Sequence, residues 1–450
     1  MGRIIVVGAG RSGLGAAEYL AQAGRDVVVT ESRSGPDAQV AARLAELSVL
    51  AVWGSHPLSL LDDCEEVVLS PGVPPGSPFA QAAAQRGISV IGELELAHRA
   101  LRERADGSML LAVTGTNGKS TTTDLTAHLL KACDLPAVAC GNLGTPLITA
   151  MAGAKPATVY ALECSSYQLE TVRDFHAEAA AALNLTPDHL ARHGTMEAYR
   201  ATKVRIFQHQ TADDLRLTPL SDPAFEALAP GLGRSARFGW ECPEGPGAWC
   251  DGHGTLWLKD EFGEHPLIPR SQLLIPGDHN VENALAAAVL ARHGGADLEG
   301  LRLGLRSYPG LAHRMVLCGE RDGIKAYNDS KGTNLDATLT AIKALPGPLV
   351  LLLGGQDKGA GYGPLAQALE GKLRKLVFLG EAIPLLERDL GHLPHVTIQP
   401  FDEAVAAALA LARPGDQVLL SPACASFDQF ENFEKRGEHF EALVRAWVKA

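Results

Sequence analysis

The sequence predicts an α/β protein of three domains, spanning residues 1–97, 98–309 and 310–450. Three observations carry that expectation. Short apolar runs alternate with helical stretches from Ile4, again from Met109, and again after the turn Tyr308-Pro309-Gly310. Glycine-containing loops follow the first strand of each of the first two blocks. In the third block, polar loops recur at the ends of apolar strands.

In the first block, Ile4–Val7 reads as a strand, Gly13–Ala23 as a helix, and Asp26–Thr30 and Glu66–Ser70 as strands. His98–Gly107 is charged and helical, and reads as a linker. The second block has strands at Met109–Val113, Ala157–Leu162 and Ala180–Leu185, and a helix at Thr121–Lys131. From about Leu215 to Ile275, Trp, Gly and Pro with turn dipeptides such as Asp251-Gly252 predict antiparallel hairpins appended to the second domain. Val281–His293 is an Ala-rich helix. The clearest strands of the third block are Pro348–Leu353, Lys375–Leu379 and Gln417–Leu420.

A chain of 450 residues has room for about two to four domains. The formal charge of −12 argues against a general nucleic-acid binder, though not against local basic pockets for anions. The eight cysteines are scattered without C-x-x-C or metal-ligand spacing, which reads as reduced thiols in a cytoplasm. No apolar run approaches ~20 residues, so no membrane insertion is expected. Met1–Gly10 reads as a first strand rather than a signal peptide.

Two glycine loops carry the chemistry. Gly8-x-Gly10-x-x-Gly13 opens the first helix, and Glu31 ends the second strand about 20 residues on, the Rossmann-like dinucleotide spacing. That pattern alone leaves open a dinucleotide, a nucleotide-sugar diphosphate or a plain strand–helix turn. Thr114–Thr121 reads T-G-T-N-G-K-S-T between a strand and a helix. Backbone N–H groups at a helix N-terminus, glycines that admit close approach, a lysine and a hydroxyl suit nucleotide phosphates and Mg²⁺. Its first glycine is displaced, because Val113 stands where the common P-loop pattern has glycine.

Other strand ends carry polar groups. Glu163 follows a strand beside the phosphate loop; it is either a Mg²⁺ ligand or a solvated carboxylate. His189, in Asn184-x-Thr186-x-Asp188-His189, is either a metal or substrate contact or an ordinary histidine beside a capping Asp188. Lys203, on a helical stretch, reads by itself as a solvated lysine. The loops at 328–334, 354–358 and 421–426 each follow a strand, and together point to one cleft.

The motifs T-G-T-N-G-K-S-T, N-D-S-K-G-T-N at 328–334, G-G-Q-D-K at 354–358 and S-P-A-C-A-S-F-D-Q-F at 421–430 resemble those of the Mur ligases of bacterial peptidoglycan synthesis, and among them the branch that adds D-glutamate. The resemblance covers nearly the whole chain and is weakest over about 210–270. It implies a UDP-binding Rossmann-like domain, a central P-loop ATPase-like domain and a Rossmann-like C-terminal domain. The implied reaction is ATP-dependent ligation of D-glutamate to UDP-N-acetylmuramoyl-L-alanine through an acyl phosphate, by a cytoplasmic monomer using ATP and two Mg²⁺ ions.

The resemblance also implies roles. Gly115, Thr116, Asn117, Gly118, Lys119, Ser120 and Thr121 would hold ATP, with Asn283 at the adenine, Arg314 at the phosphates and Asp329 at the ribose. Ser120, Glu163, His189 and carbamylated Lys203 would ligate Mg²⁺; the carbamate converts a cation into an oxygen ligand. Ser12, Glu31, Ser32, Arg33 and Ser70 would hold the UDP end, and Asn142 and Ser165 the muramoyl-alanine arm. Lys331, Thr333, Lys358, Ser426 and Phe433 would bind D-glutamate, and Lys119, Glu163, His189, Lys203, Arg314 and Lys331 would form the catalytic set. Gly332 stands where the family often has alanine, and Gln356-Asp357 makes the neighbourhood of Lys358 more acidic. An NAD-dependent oxidoreductase using the first glycine loop, or a nucleotide-binding regulator, are the competing readings. The first leaves Thr114–Thr121 unexplained, and the second leaves the third block's polar loops without purpose.

Overall fold

The computed structural model describes residues 2–35, 38–142, 144–357 and 361–450. Among these, the strands form three sheets. The chain divides into two compact units, one of Met1–Gln272 with Val281–Arg306, the other of Leu273–Asn280 with Ser307–Ala450.

The first sheet holds β1 (Arg3–Val7), β2 (Val27–Glu31), β3 (Leu50–Trp53), β4 (Cys64–Leu69) and β5 (Ser89–Gly92), in the order β3-β2-β1-β4-β5. All its pairings are parallel. Strands such as R-I-I-V-V read as unbroken apolar runs because helices cover both faces. Those helices include α1 (Arg11–Gln22), α2 (Ala38–Glu46) and α3 (Pro78–Gln85). Strand order reverses between β1 and β4, and a parallel sheet opens a ligand crevice at such a point. The ends of β1 and β4 carry Gly8 and Ser70.

The stretch read as a linker is α4 (Glu93–Arg104), and residue 97 lies in its middle. It is not solvated. Leu94, Ala97, Ala100 and Leu101 are buried in the core of the second sheet. Its charged residues disguised this in sequence, because Glu93, Glu95 and His98 are buried as well.

The second sheet has the order β14-β13-β12-β11-β10-β9-β6-β8-β7. Its strands are β6 (Met109–Thr114), β7 (Ala137–Gly141), β8 (Val159–Glu163), β9 (Ala179–Ala182), β10 (Leu215–Pro219), β11 (Arg234–Gly239), β12 (Gly247–Cys250), β13 (Thr255–Asp260) and β14 (Gly263–Pro269). Helices α5 (Lys119–Lys131), α6 (Leu147–Ala150), α7 (Ser166–Leu169), α8 (Leu190–His193), α9 (Met196–Val204), α10 (Pro223–Leu228), α11 (Asp278–His293) and α12 (Leu298–Ser307) connect or flank them. The region expected to be appended hairpins is only partly antiparallel. β10 and β11 continue the parallel sheet from β9, and antiparallel pairing begins at β12–β13–β14. The sequence disguises the parallel pair because β10 and β11 are short and the helix between them, α10, has only six residues.

The third sheet has the order β15-β16-β20-β17-β18-β19. It contains β15 (Val316–Arg321), β16 (Ile324–Asn328), β17 (Leu349–Gly354), β18 (Leu373–Leu379), β19 (His395–Thr397) and β20 (Gln417–Leu420), with α13 (Leu335–Ala344), α14 (Pro364–Ala368), α15 (Ile383–Leu390), α16 (Phe401–Leu411) and α17 (Phe433–Lys449). β16, β20 and β17 are parallel neighbours, so the polar loops at 328, 421 and 354 emerge from one end of the sheet. No helix among the described residues is long and apolar enough to cross a membrane.

Candidate functional site

The first glycine loop borders a cavity of about 460 Å³. Gly8, Gly10, Ser12, Glu31, Ser32, Arg33 and Ser70 line it, joined by Asn142 and Gln168. Gly13 is required for the turn: a Cβ there would stand 1.9 Å from the Gly8 carbonyl oxygen. Ser70 Oγ donates to that carbonyl at 3.0 Å, tying the end of β4 to the end of β1. Burial works to raise Glu31, but hydrogen bonds from the Ala9 N–H and from the Arg33 side chain and N–H win and hold it at about 2. A fixed carboxylate at the end of β2 suits hydroxyl or amide donors of a ligand. Ser165 is not in the cavity wall. Its hydroxyl accepts from the Gln168 N–H at 3.3 Å and caps α7, and its N–H donates to Gln168 Oε1 at 2.9 Å in a reciprocal capping box. Gln168 and His56, both in the wall, carried no motif by which sequence could single them out.

The phosphate loop joins β6 to α5. Gly115 and Gly118 have φ of 151° and 83°, conformations that side chains resist. Asn184 clamps the loop, accepting from the Asn117 N–H at 2.8 Å and donating to the Asn117 carbonyl at 3.0 Å. Thr116 is held likewise, its N–H donating to the Asn184 carbonyl at 3.0 Å and its hydroxyl accepting from the Thr186 N–H at 3.1 Å. Lys119 Nζ donates back to the carbonyls of Gly115 and Thr116, at 3.0 and 2.8 Å. Ser120 and Thr121 lie in the first turn of α5, where backbone N–H groups and the helix dipole favour an anion. Asn283 on α11 sits behind the loop, its Oδ1 accepting from Thr122 Oγ1 at 3.3 Å.

Glu163 ends β8, in register with Val113 of β6. It is 2% exposed. Oε1 accepts from Asn142 Nδ2 at 2.7 Å, while Oε2 is buried with no hydrogen-bond partner among the described residues. A buried carboxylate oxygen left bare beside a phosphate loop is a position for a divalent cation. Lys203 is 1% exposed, so the reading of it as a solvated lysine fails. Its Nζ donates to the Gly115 carbonyl at 2.8 Å and stands 4.6 Å from the Tyr199 ring centroid. Burial, reinforced by nearby Lys119, lowers Lys203 to about 6 against the pull of Asp188, Cys164 and Glu163.

His189 is further out. It adopts φ of 53°, its Nδ1 lies 3.1 Å from the Tyr167 hydroxyl, and its ring is 6.4 Å from that of Tyr199. Among the described residues, no three His, Cys, Asp or Glu side chains form a ready-made metal centre. A magnesium site completed by phosphate oxygens needs only one or two protein oxygens, and the bare Glu163 oxygen and the Ser120 hydroxyl fit that donor set.

In the second unit, Asp329 is buried and accepts from Ser421 Oγ at 2.7 Å. Burial raises it to about 6, opposed by nearby Arg314. Arg314 Nε is buried and has no partner among the described residues. Lys331 Nζ lies 5.9 Å from the Phe433 ring centroid, and the Thr333 N–H donates to the Lys331 carbonyl at 2.9 Å. Ser426 is buried, its carbonyl accepting from the Phe430 N–H at 2.8 Å. Lys358 lies outside the described residues. Sequence reasoning missed Arg436, which is fully buried and donates to Ser330 Oγ and to the carbonyls of Ser330, Cys424 and Ala425. It joins the 328 loop to the 421 loop, but an arginine on an amphipathic helix gives no sign of that.

Three family models match in chain order. The Mur ligase MurD-like N-terminal domain matches residues 2–92, the Mur ligase middle domain residues 113–291, and the Mur ligase glutamate ligase domain residues 313–424. The chain belongs to the Mur ligase family. It is 36% identical over 449 residues to a protein of Alkaliphilus metalliredigens named UDP-N-acetylmuramoylalanine--D-glutamate ligase, covering 98% of this chain and 97% of that one. A protein of the same name from Anaeromyxobacter dehalogenans is 41% identical, with the same two coverages. Among solved structures, UDP-N-acetylmuramate-alanine ligase from Thermotoga maritima matches with TM-score 0.59 and 19% identity, over 99% of this chain and 100% of that one. MurF from Acinetobacter baumannii matches with TM-score 0.60 and 17% identity, over 94% and 91%. At those identities the structural likeness speaks for the shared Mur ligase fold alone.

Proposed function

We propose that this Mur ligase joins D-glutamate to UDP-N-acetylmuramoyl-L-alanine at the expense of ATP. The observation that carries this reading is the bare, buried Glu163 oxygen beside the phosphate loop. It supports phosphate activation in a chain whose full-length relatives bear that ligase name.

The alanyl carboxylate attacks the γ-phosphorus, ADP leaves, and an acyl phosphate forms. The amine of D-glutamate then attacks the acyl carbon, and phosphate leaves from the tetrahedral intermediate. Lys119, with the Gly115–Thr121 backbone, neutralises charge on the phosphates, and Arg314 supplies a guanidinium for the same purpose. Asn283 serves the adenine and Asp329 the ribose. Two Mg²⁺ ions, held through Ser120, Glu163, His189 and carbamylated Lys203, would supply positive charge at the transferring phosphoryl group. Lys203 near 6 is largely a neutral amine at pH 7, the form that adds CO₂. Ser12, Glu31, Ser32, Arg33 and Ser70 hold the UDP end, and Asn142 the muramoyl-alanine arm, with Ser165 acting through its cap. Lys331, Thr333, Lys358, Ser426 and Phe433 take D-glutamate, whose two carboxylates call for cations and donors.

The three sheets and the three family-model ranges support a division into three domains, α4 running across the 97/98 boundary, and the bounds 1–97, 98–309 and 310–450 belong to the same reading. So does a monomer working in the ATP-supplied cytoplasm. The test is phosphate release with ATP, Mg²⁺ and UDP-N-acetylmuramoyl-L-alanine, with and without D-glutamate. Release should depend on D-glutamate and fall at least ~10³-fold in Lys119→Ala. Near-normal turnover in that variant would sink the assignment.

A further inference from the structure

His56 follows the end of β3 and lies in the wall of two cavities. One is the cavity at the first glycine loop. The other, of about 480 Å³, shares Ser32, His56, Gly72 and Val73 with it. Beyond those residues its wall is mainly apolar, with Pro74, Pro78 and Phe79. The buried Phe79 ring lies 5.8 Å from the His56 ring, tilted by 53°. A polar cavity continuous with an apolar one suits a nucleoside diphosphate, with the phosphates in the first and the planar base in the second. His56 stands where the two meet.

One buried hydroxyl fixes the tautomer of His56. Thr30, on β2, is fully buried, and its Oγ1 lies 2.9 Å from the Ser55 carbonyl oxygen and 2.9 Å from His56 Nδ1. A carbonyl only accepts, so the single Thr30 proton goes to Ser55. Nδ1 must then carry the proton of the second hydrogen bond, and in the neutral imidazole Nε2 keeps a lone pair. No hydrogen bond to Nε2 forms among the described residues. Nδ1 faces the buried Thr30, so Nε2, on the other side of the ring, is the acceptor that His56 has left for a ligand. Glu31 has no such acceptor to spare. Its Oε1 accepts from Ser32 Oγ and the Arg33 N–H, and its Oε2 from the Ala9 N–H and Arg33 Nη2. Those donors fill the lone pairs of a carboxylate, and a ligand N–H reaches Glu31 only by displacing one of them.

We propose that His56 is a specificity-determining residue for the base of the nucleotide substrate, its Nε2 accepting the imide N3–H of a uracil seated in the apolar cavity. The proposal rests on the reading of the first cavity as the UDP-sugar site. Uracil N3 carries a hydrogen, whereas cytosine N3 carries a lone pair. A lone pair set against the Nε2 lone pair leaves both unpaired, which costs about 10- to 100-fold in affinity. Thr30 and Phe79 hold the ring in place before any ligand arrives, so the acceptor is pre-organised.

Equilibrium binding of UDP, CDP and N3-methyl-UDP to the full-length protein at pH 8.5 tests this. Wild type should prefer UDP to each of the other two by at least ~10-fold. His56→Asn sets an amide N–H where Nδ1 donates to Thr30, and sets nothing at the place of Nε2. It should bind UDP more weakly, and its preference for UDP over CDP should shrink to within about 3-fold. An undiminished preference for UDP over CDP in His56→Asn overturns the role of His56 and leaves the cavity assignment standing. Equal binding of UDP and N3-methyl-UDP by wild type overturns that role as well, without need of a variant that folds. No binding of UDP by wild type overturns the cavity assignment itself, and the role of His56 with it.

Discussion

Lys203 shows how much a single burial decides. Its ammonium is ordinarily stable to about 10.5, and burial beside Lys119 lowers it to about 6. Between those values the unfolded chain holds a proton that the native state does not, so stability rises with pH across the window. The cost is full below pH 6 and gone above about 10.5. Lys203→Met removes it, and should raise Tm by ~5 °C at pH 6.5 and by less than half of that at pH 9, in CO₂-free buffer. Thermal denaturation at the two pH values checks this; a gain independent of pH would mean the lysine is not strained by its charge. The same variant should be inactive in the phosphate-release assay. Nothing local in Y-R-A-T-K distinguishes this lysine from a solvated one, because its burial comes from the phosphate loop, 88 residues away in the chain. Lys119 was legible because its neighbours in sequence are also its neighbours in space.

At the scale of elements, the glycine loops were readable and α4 was not. A turn motif carries its geometry in a few consecutive residues, and Gly13 is the clearest case. Gly13→Ala would drive a methyl group against the Gly8 carbonyl, costing about 2–3 kcal/mol and abolishing UDP-ligand binding. Urea denaturation and ligand titration would check both effects, and an unperturbed variant would disprove the close approach. α4 looked like a charged linker because its partners lie on other segments. Glu95 accepts from the backbone N–H groups of Arg173 and Asp174, and His98 Nε2 accepts from Arg102 Nε and the His176 N–H. Burial, with Arg102 nearby, lowers His98 to about 4, so it is neutral in the native state at pH 7. Its contribution is intact above pH 6.5 and is lost as pH falls toward 4. His98→Gln, which keeps an acceptor, should flatten the loss of stability between pH 6.5 and 4 by close to one proton's worth of slope. An unchanged slope would place the acid sensitivity elsewhere.

For the whole molecule, core membership decides which pieces stand alone. The two apolar clusters of the third sheet draw only on residues from Met315 to Trp447. A fragment of residues 307–450 should therefore unfold cooperatively by circular dichroism. A fragment of residues 1–97 should not, because it cuts α4 and exposes the face that packs into the second sheet's core. Cooperative unfolding of the shorter fragment would show that α4 is dispensable to the first sheet. The sequence by itself determined the α/β class, the phosphate loop, the first glycine loop and membership of the Mur ligase family, since each rests on periodicity or on runs of adjacent residues. Only the tertiary structure decided that β10 and β11 run parallel, that Lys203 and Glu93 are buried, and that a Glu163 oxygen is left bare. Those properties depend on which distant segments displace water from a side chain, and no local pattern encodes that.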